Sequence, residues 1–221
     1  MKLKKIASLA LAGIMAVSML TACGEGGNGN NGEDVPPETV VTTGIADAAN
    51  GERSNYIKNS MKVTYTESDS VNSALAAAVA SEYKTADIKI ALDDTDYDYA
   101  KYQSGSTAGE KVATKVYESL TGTSTNNQGF NGLQRITTVG TKKSVVVYAV
   151  GGNYDADDAA ALVSHELNTQ FVANSTPIDT TGYKADYTVE LGAVKATSAE
   201  DASLSIWVVA VVLTQTVSSA S

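Results

Sequence analysis

The sequence predicts an α+β domain: a largely antiparallel sheet of five or six strands, with about three helices packed on one side. Three observations predict it. Apolar residues alternate with polar ones in several short runs, the period of a half-buried strand. Other segments carry small and aliphatic residues at helical spacing, as in Val71, Leu75, Ala78 and Val79. Finally, residues 145–150 and 206–213 are apolar at every position. Each run is far below the roughly 20 residues that a bilayer needs, so both read as central strands buried on two faces.

In chain order, Val63 and Tyr65 alternate with polar neighbours over residues 62–66, giving a short strand. Ser68, Asp69 and Ser70 offer N-caps to a helix running to about Tyr83. Ile88, Ile90 and Leu92 alternate again and predict a second strand, which the acidic, tyrosine-rich run 93–102 ends. A helix over about 107–120 turns Val112, Ala113, Val116 and Leu120 inward and Lys111, Lys115 and Glu118 outward. Residues 126–132, rich in Asn and Gly, read as a loop. Residues 133–139 and 144–150 then predict a hairpin turning at 140–143. A helix over about 155–171 follows, its early Asp155, Asp157 and Asp158 suited to the positive end of the helix dipole. Tyr187, Val189, Leu191 and Ala193 alternate as a half-buried strand, and the run 206–213 closes the sheet. Setting Tyr65 on Tyr148 brings Ala76–Ala78 onto Ala159–Ala161 and Ser81 onto Ser164. A strand–helix–strand duplication would account for that.

The chain begins with a positive segment (Lys2, Lys4, Lys5), an apolar stretch over 6–20 and the tetrad Leu20-Thr21-Ala22-Cys23. The order is that of an export signal, too short and too diluted by Ser8, Gly13 and Ser18 for a spanning helix. Leu-Thr-Ala-Cys resembles the lipobox of bacterial membrane-anchored lipoproteins. The resemblance covers residues 1–23 and implies cleavage before Cys23, which would carry a diacylglycerol thioether, and an extracytoplasmic position. Two or more acyl chains anchor stably where one is marginal. The expected organisation is a signal peptide over 1–22, a flexible Gly/Asn-rich tether over 23–44 and one domain over 45–221. A tether of some twenty residues would hold the domain about 25 Å from the bilayer.

Loss of the three leader lysines leaves thirteen basic against twenty-five acidic residues, a net charge near −12. Such a surface repels polyanions, so no nucleic acid partner is expected. Cys23 is the one cysteine, so the fold has no disulfide and rests on its core.

The catalytic motifs fail one by one. His165-Glu166 begins like a zinc-protease helix, but position 169 is Thr and the chain has no second histidine. Opposite the stripe of Val163 and Leu167, His165 is expected to face solvent. The run 105–111, Gly-Ser-Thr-Ala-Gly-Glu-Lys, has the wrong glycine spacing for a phosphate loop and reads as a helix start. Asp94, Asp96 and Asp98 stand at calcium-loop spacing, yet Tyr99 and Gly105 occupy the positions where an EF-hand needs Gly and Glu. A looser calcium site of Asp93, Asp94, Asp96 and Asp98 is the alternative to a solvated acidic turn. Tyr97, Tyr99 and Tyr102 beside these acids could contact glycan or peptide, the plainer reading being rings packed at a core margin. The closing residues 187–212 loosely resemble the last hairpin of secreted CAP-type domains, whose paired cleft histidines are absent here. The expectation is therefore a lipid-anchored surface protein acting as a non-enzymatic binding or envelope-associated module. Its partners would be the membrane, through Cys23, and cell-wall glycan or an envelope protein. The alternatives are a wall-directed glycoside hydrolase using paired carboxylates and a purely structural envelope subunit.

Overall fold

Valine-rich stretches build the middle of the molecule. The computed structural model describes residues 35–94, 100–105, 107–124, 138–174 and 182–220. In chain order the elements are β1 (Glu38–Thr42), α1 (Ile45–Gly51), a π-helical turn (Tyr56–Met61), β2 (Tyr65–Glu67), α2 (Asp69–Glu82), α3 (Thr85–Asp94), β3 (Lys101–Tyr102), α4 (Ala108–Thr121), β4 (Gly140–Gly151), α5 (Ala156–Asn174), β5 (Tyr183–Thr197) and β6 (Ser205–Ser219). The strands form one six-stranded sheet in the order β1–β5–β6–β4–β3. β2 adds to β5 beside β1, parallel to it, and every other pairing is antiparallel. The largely antiparallel α+β architecture is as the sequence predicts.

Both faces of the sheet are buried, which explains the unbroken apolar runs. Val145, Val147 and Ala149 of β4 join Val208, Ala210 and Val212 of β6 on one face, beneath α2, α3 and α4. Val146, Tyr148 and Val150 join Trp207, Val209 and Val211 on the other, beneath α1, the π-turn and α5. Three helices on one side were expected, and a second set covers the opposite face. The core is aliphatic and fully enclosed, each such side chain contributing about 1.5–3 kcal/mol by leaving water.

Three expectations are corrected. Residues 88–92 are helical, within α3, although Ile88, Ile90 and Leu92 alternate. Ile88 and Ala91 are buried while Ile90 is 58% exposed, a helical stripe and not a pleat. No turn occurs at 140–143, because Gly140 to Lys143 pair in register with Val217 to Thr214 inside β4. The hairpin's first arm over 133–137 lies outside the described residues. Glu38–Thr42, inside the span read as tether, is a strand of the sheet, paired with Thr197 to Ala193 of β5. In the suggested duplication, β2–α2 and β4–α5 both run strand then helix, while Ala86–Ile88 falls in α3 and its counterpart Ala185–Tyr187 in β5.

Side chains that close backbone hydrogen bonds fix the early, irregular part of the chain. Asn50 pairs with both backbone groups of Tyr65, at 2.8 and 2.9 Å. Asn168 of α5 accepts from Ser54 N and donates to Glu52 O. Ser164, fully buried, donates to Ala49 O at 2.7 Å. The Glu67 carboxylate accepts from the amides of Gly44 and Ala46 and so caps α1 from the end of β2.

Candidate functional site

The sequence candidates divide by position. Cys23, the leader and residues 24–34 lie outside the described residues, as do Asp96, Asp98, Tyr97 and Tyr99. Asp93 is exposed in the last turn of α3, and Asp94 ends that helix. Among the described residues no group of three or more His, Cys, Asp or Glu is placed to hold a metal ion. His165 is exposed on α5, as expected.

Tyr102 is the described member of the tyrosine trio. It pairs with Tyr148 across β3 and β4, and the two rings meet at 5.7 Å with a tilt of 55°. Tyr148 is buried, while Tyr102 is half-buried at the sheet margin. Burial raises the Tyr102 phenol above its ordinary value, and the Glu110 carboxylate raises it further. Burial likewise raises Tyr148, with smaller contributions from Tyr102, Glu166 and Tyr65. Both are therefore neutral hydroxyls at physiological pH.

The segment 105–111 starts α4 and seats it on the sheet edge. Thr107 caps the helix by accepting from Glu110 N at 3.2 Å. Gly109 lies so close to Gln103 that a Cβ there would fall 2.4 Å from that residue's Cβ. This glycine serves helix–strand contact, so no phosphate cradle need be invoked.

A shallow cleft of about 510 Å³ lies along α4, lined by Glu82, Glu110, Lys111, Thr114, Lys115 and Glu118, with Gly105 at its end. Lys115 bridges to Glu82 at 2.6 Å and donates to Ser81 Oγ at 3.1 Å, tying α4 to α2. The lining thus sets three carboxylates against two ammonium groups on an open surface. It can exchange hydrogen bonds with a polar ligand, but it offers no paired nucleophile and base. A carboxyl serving as general acid needs a raised pKa. Asp201, in the β5–β6 turn, is instead held below its ordinary value by the hydroxyl and backbone N–H of Ser203. The cleft residues were partly readable, since Lys111, Lys115 and Glu118 were expected on the outer face of this helix. Glu82 was not, because its approach depends on how α2 meets α4.

No family model matches the chain, and comparison with curated proteins and with solved structures gives no match.

Proposed function

We propose that this chain is a lipid-anchored extracytoplasmic surface protein that binds an envelope component and carries no catalytic chemistry of its own. The observation that carries this reading is the order lipobox-like tetrad, Gly/Asn-rich linker, folded domain. Leu20-Thr21-Ala22-Cys23 is followed by residues that bury nothing, and the first strand begins at Glu38. The mixed, mostly neutralised cleft along α4 supports binding over catalysis. Among the described residues no helix is long and apolar enough to cross a membrane, so the reading places attachment on Cys23. The test is growth of a bacterial host expressing the full chain with a radiolabelled or alkyne fatty acid. The chain is expected to take up label and to partition with membranes, and Cys23→Ser is expected to lose both. Label retained on Cys23→Ser would overturn the anchor.

A hydrolase with paired carboxylates is the second reading, favoured by the meeting of Glu82, Glu110 and Glu118 on one cleft. Release of soluble sugar from purified wall by the full chain would support it over the first.

A further inference from the structure

β4, β5 and β6 run past the helices at one end of the sheet. On the face that α2, α3 and α4 cover elsewhere, the last row with buried side chains is Val145–Val212–Glu190. Beyond it the register aligns Lys143, Thr214 and Thr188 across the three strands, and then Thr141, Thr216 and Asp186. Thr141, Thr188 and Thr216 are exposed and Thr214 is half-buried. The hydroxyls of Thr141 and Thr216 stand 3.4 Å apart. Lys184 and Asp186 form an exposed pair at 3.3 Å, their side chains 66% and 64% accessible. Neighbouring rows are therefore set by the strand spacing, about 4.8 Å, and by the two-residue repeat, about 6.6 Å.

The chain enters the domain at the opposite end. Glu38 of β1 pairs with Thr197, the last residue of β5, whereas the hydroxyl face lies along the first residues of that strand. The 15 residues of β5 separate the two ends by about 45 Å. A domain hanging from Cys23 through residues preceding Glu38 therefore carries this face on its far end, pointing away from the attachment. The face is also electrically quiet: Lys184 and Asp186 neutralise one another, and Lys143 remains, on a mature chain near −12. A polyanion would meet repulsion from the body and little attraction here. An uncharged, hydroxyl-rich strand would find donors and acceptors at sugar-sized spacing on a flat surface.

We infer that this hydroxyl face is a docking surface for the glycan strands of the cell wall. The inference rests on the anchored reading above for its orientation, and on the register of three strands for its chemistry. The test uses the full chain carrying Cys23→Ser, so that it does not depend on lipidation, in cosedimentation with purified peptidoglycan sacculi. The comparison is the same chain with Thr141→Val, Thr188→Val, Thr214→Val and Thr216→Val. Valine keeps the shape and strand preference of threonine and removes the hydroxyl, and circular dichroism reports folding of the variant. Binding that survives high salt and falls about tenfold or more in the variant is expected, the loss equivalent to one or two good hydrogen bonds. Equal binding by both chains overturns the face. No sedimentation by either overturns the glycan. Binding by the parent that disappears with salt overturns the uncharged partner in favour of an ionic one. Failure of the anchor is read separately, by the fatty-acid label, and leaves these outcomes unchanged.

Discussion

Ser198, buried in the turn that joins β5 to β6, shows how much a single hydroxyl can hold. Its Oγ accepts from the amides of Glu200 and Asp201, each at 3.2 Å, and meets the Thr85 hydroxyl at 2.9 Å. One oxygen thus closes the tip of the longest strand pair and ties it to the start of α3. Ser198→Ala removes the oxygen and leaves Thr85 with a buried hydroxyl lacking that partner. The expected cost is about 1–3 kcal/mol, read as a fall in the urea midpoint at unchanged slope. Asp201 accepts from the Ser203 hydroxyl and amide in the same turn but is exposed, so its loss should matter much less.

Between elements, the tightest approach is that of α2 to the sheet. A Cβ on Gly192 would lie 2.8 Å from Asn72 Oδ1 and 2.9 Å from Val71 Cγ1, both on the buried side of α2. Gly192→Ala is expected to lower stability by about 1–3 kcal/mol through overpacking. Gly51→Ala, where a methyl meets nothing within 4 Å in the last turn of α1, is the control and should raise stability by about 0.5 kcal/mol. Thermal melting of the two variants checks both signs. The same contrast marks what the sequence could disclose. Helices α2, α4 and α5 and strands β5 and β6 were legible because each carries its own periodicity over many residues. α3 was misread because Ile88, Ile90 and Leu92 satisfy a period of two, whereas burial falls on Ile88 and Ala91. A cap that no pattern announces, Asp87 accepting from Lys84 N at 3.0 Å, helps to start that helix. β1 and α1 were not legible at all. β1 exposes Val40 on an outer strand, and α1 depends on Glu67, more than twenty residues away, for its cap. Of the candidate site, the lysines and Glu118 on α4 could be placed by helical phase, but the hydroxyl rows could not. They arise only when three strands from separate parts of the chain come into register.

At the scale of the molecule, the two-sided core encloses several tyrosines, and this sets the response to alkali. Tyr65, Tyr83 and Tyr148 are each 2% exposed or less, and no protein group accepts from or donates to their hydroxyls. Burial pushes the Tyr65 phenol up to about 12 from an ordinary 10.0, against smaller downward pulls from the Ser164 hydroxyl and Arg53. Burial raises Tyr83 and Tyr148 in the same direction. A phenol whose pKa is higher folded than unfolded binds its proton more tightly in the folded state. Its contribution is therefore fully present below pH 10 and is lost as pH rises from 10 through the folded value. Tyr65 alone would forfeit on the order of 2 kcal/mol by pH 12, and the other two phenols act with the same sign. Stability measured by urea unfolding should be level with respect to these groups up to pH 10 and fall steeply above it. Tyr65→Phe and Tyr148→Phe leave the rings in place and remove the ionising group. Each should flatten that alkaline fall, and an unchanged slope in both would mean that the phenols do not control it. Because Tyr65 and Tyr148 stand beneath α5 and Tyr83 beside α3, the loss should reach both faces of the sheet and unfold the domain as one unit.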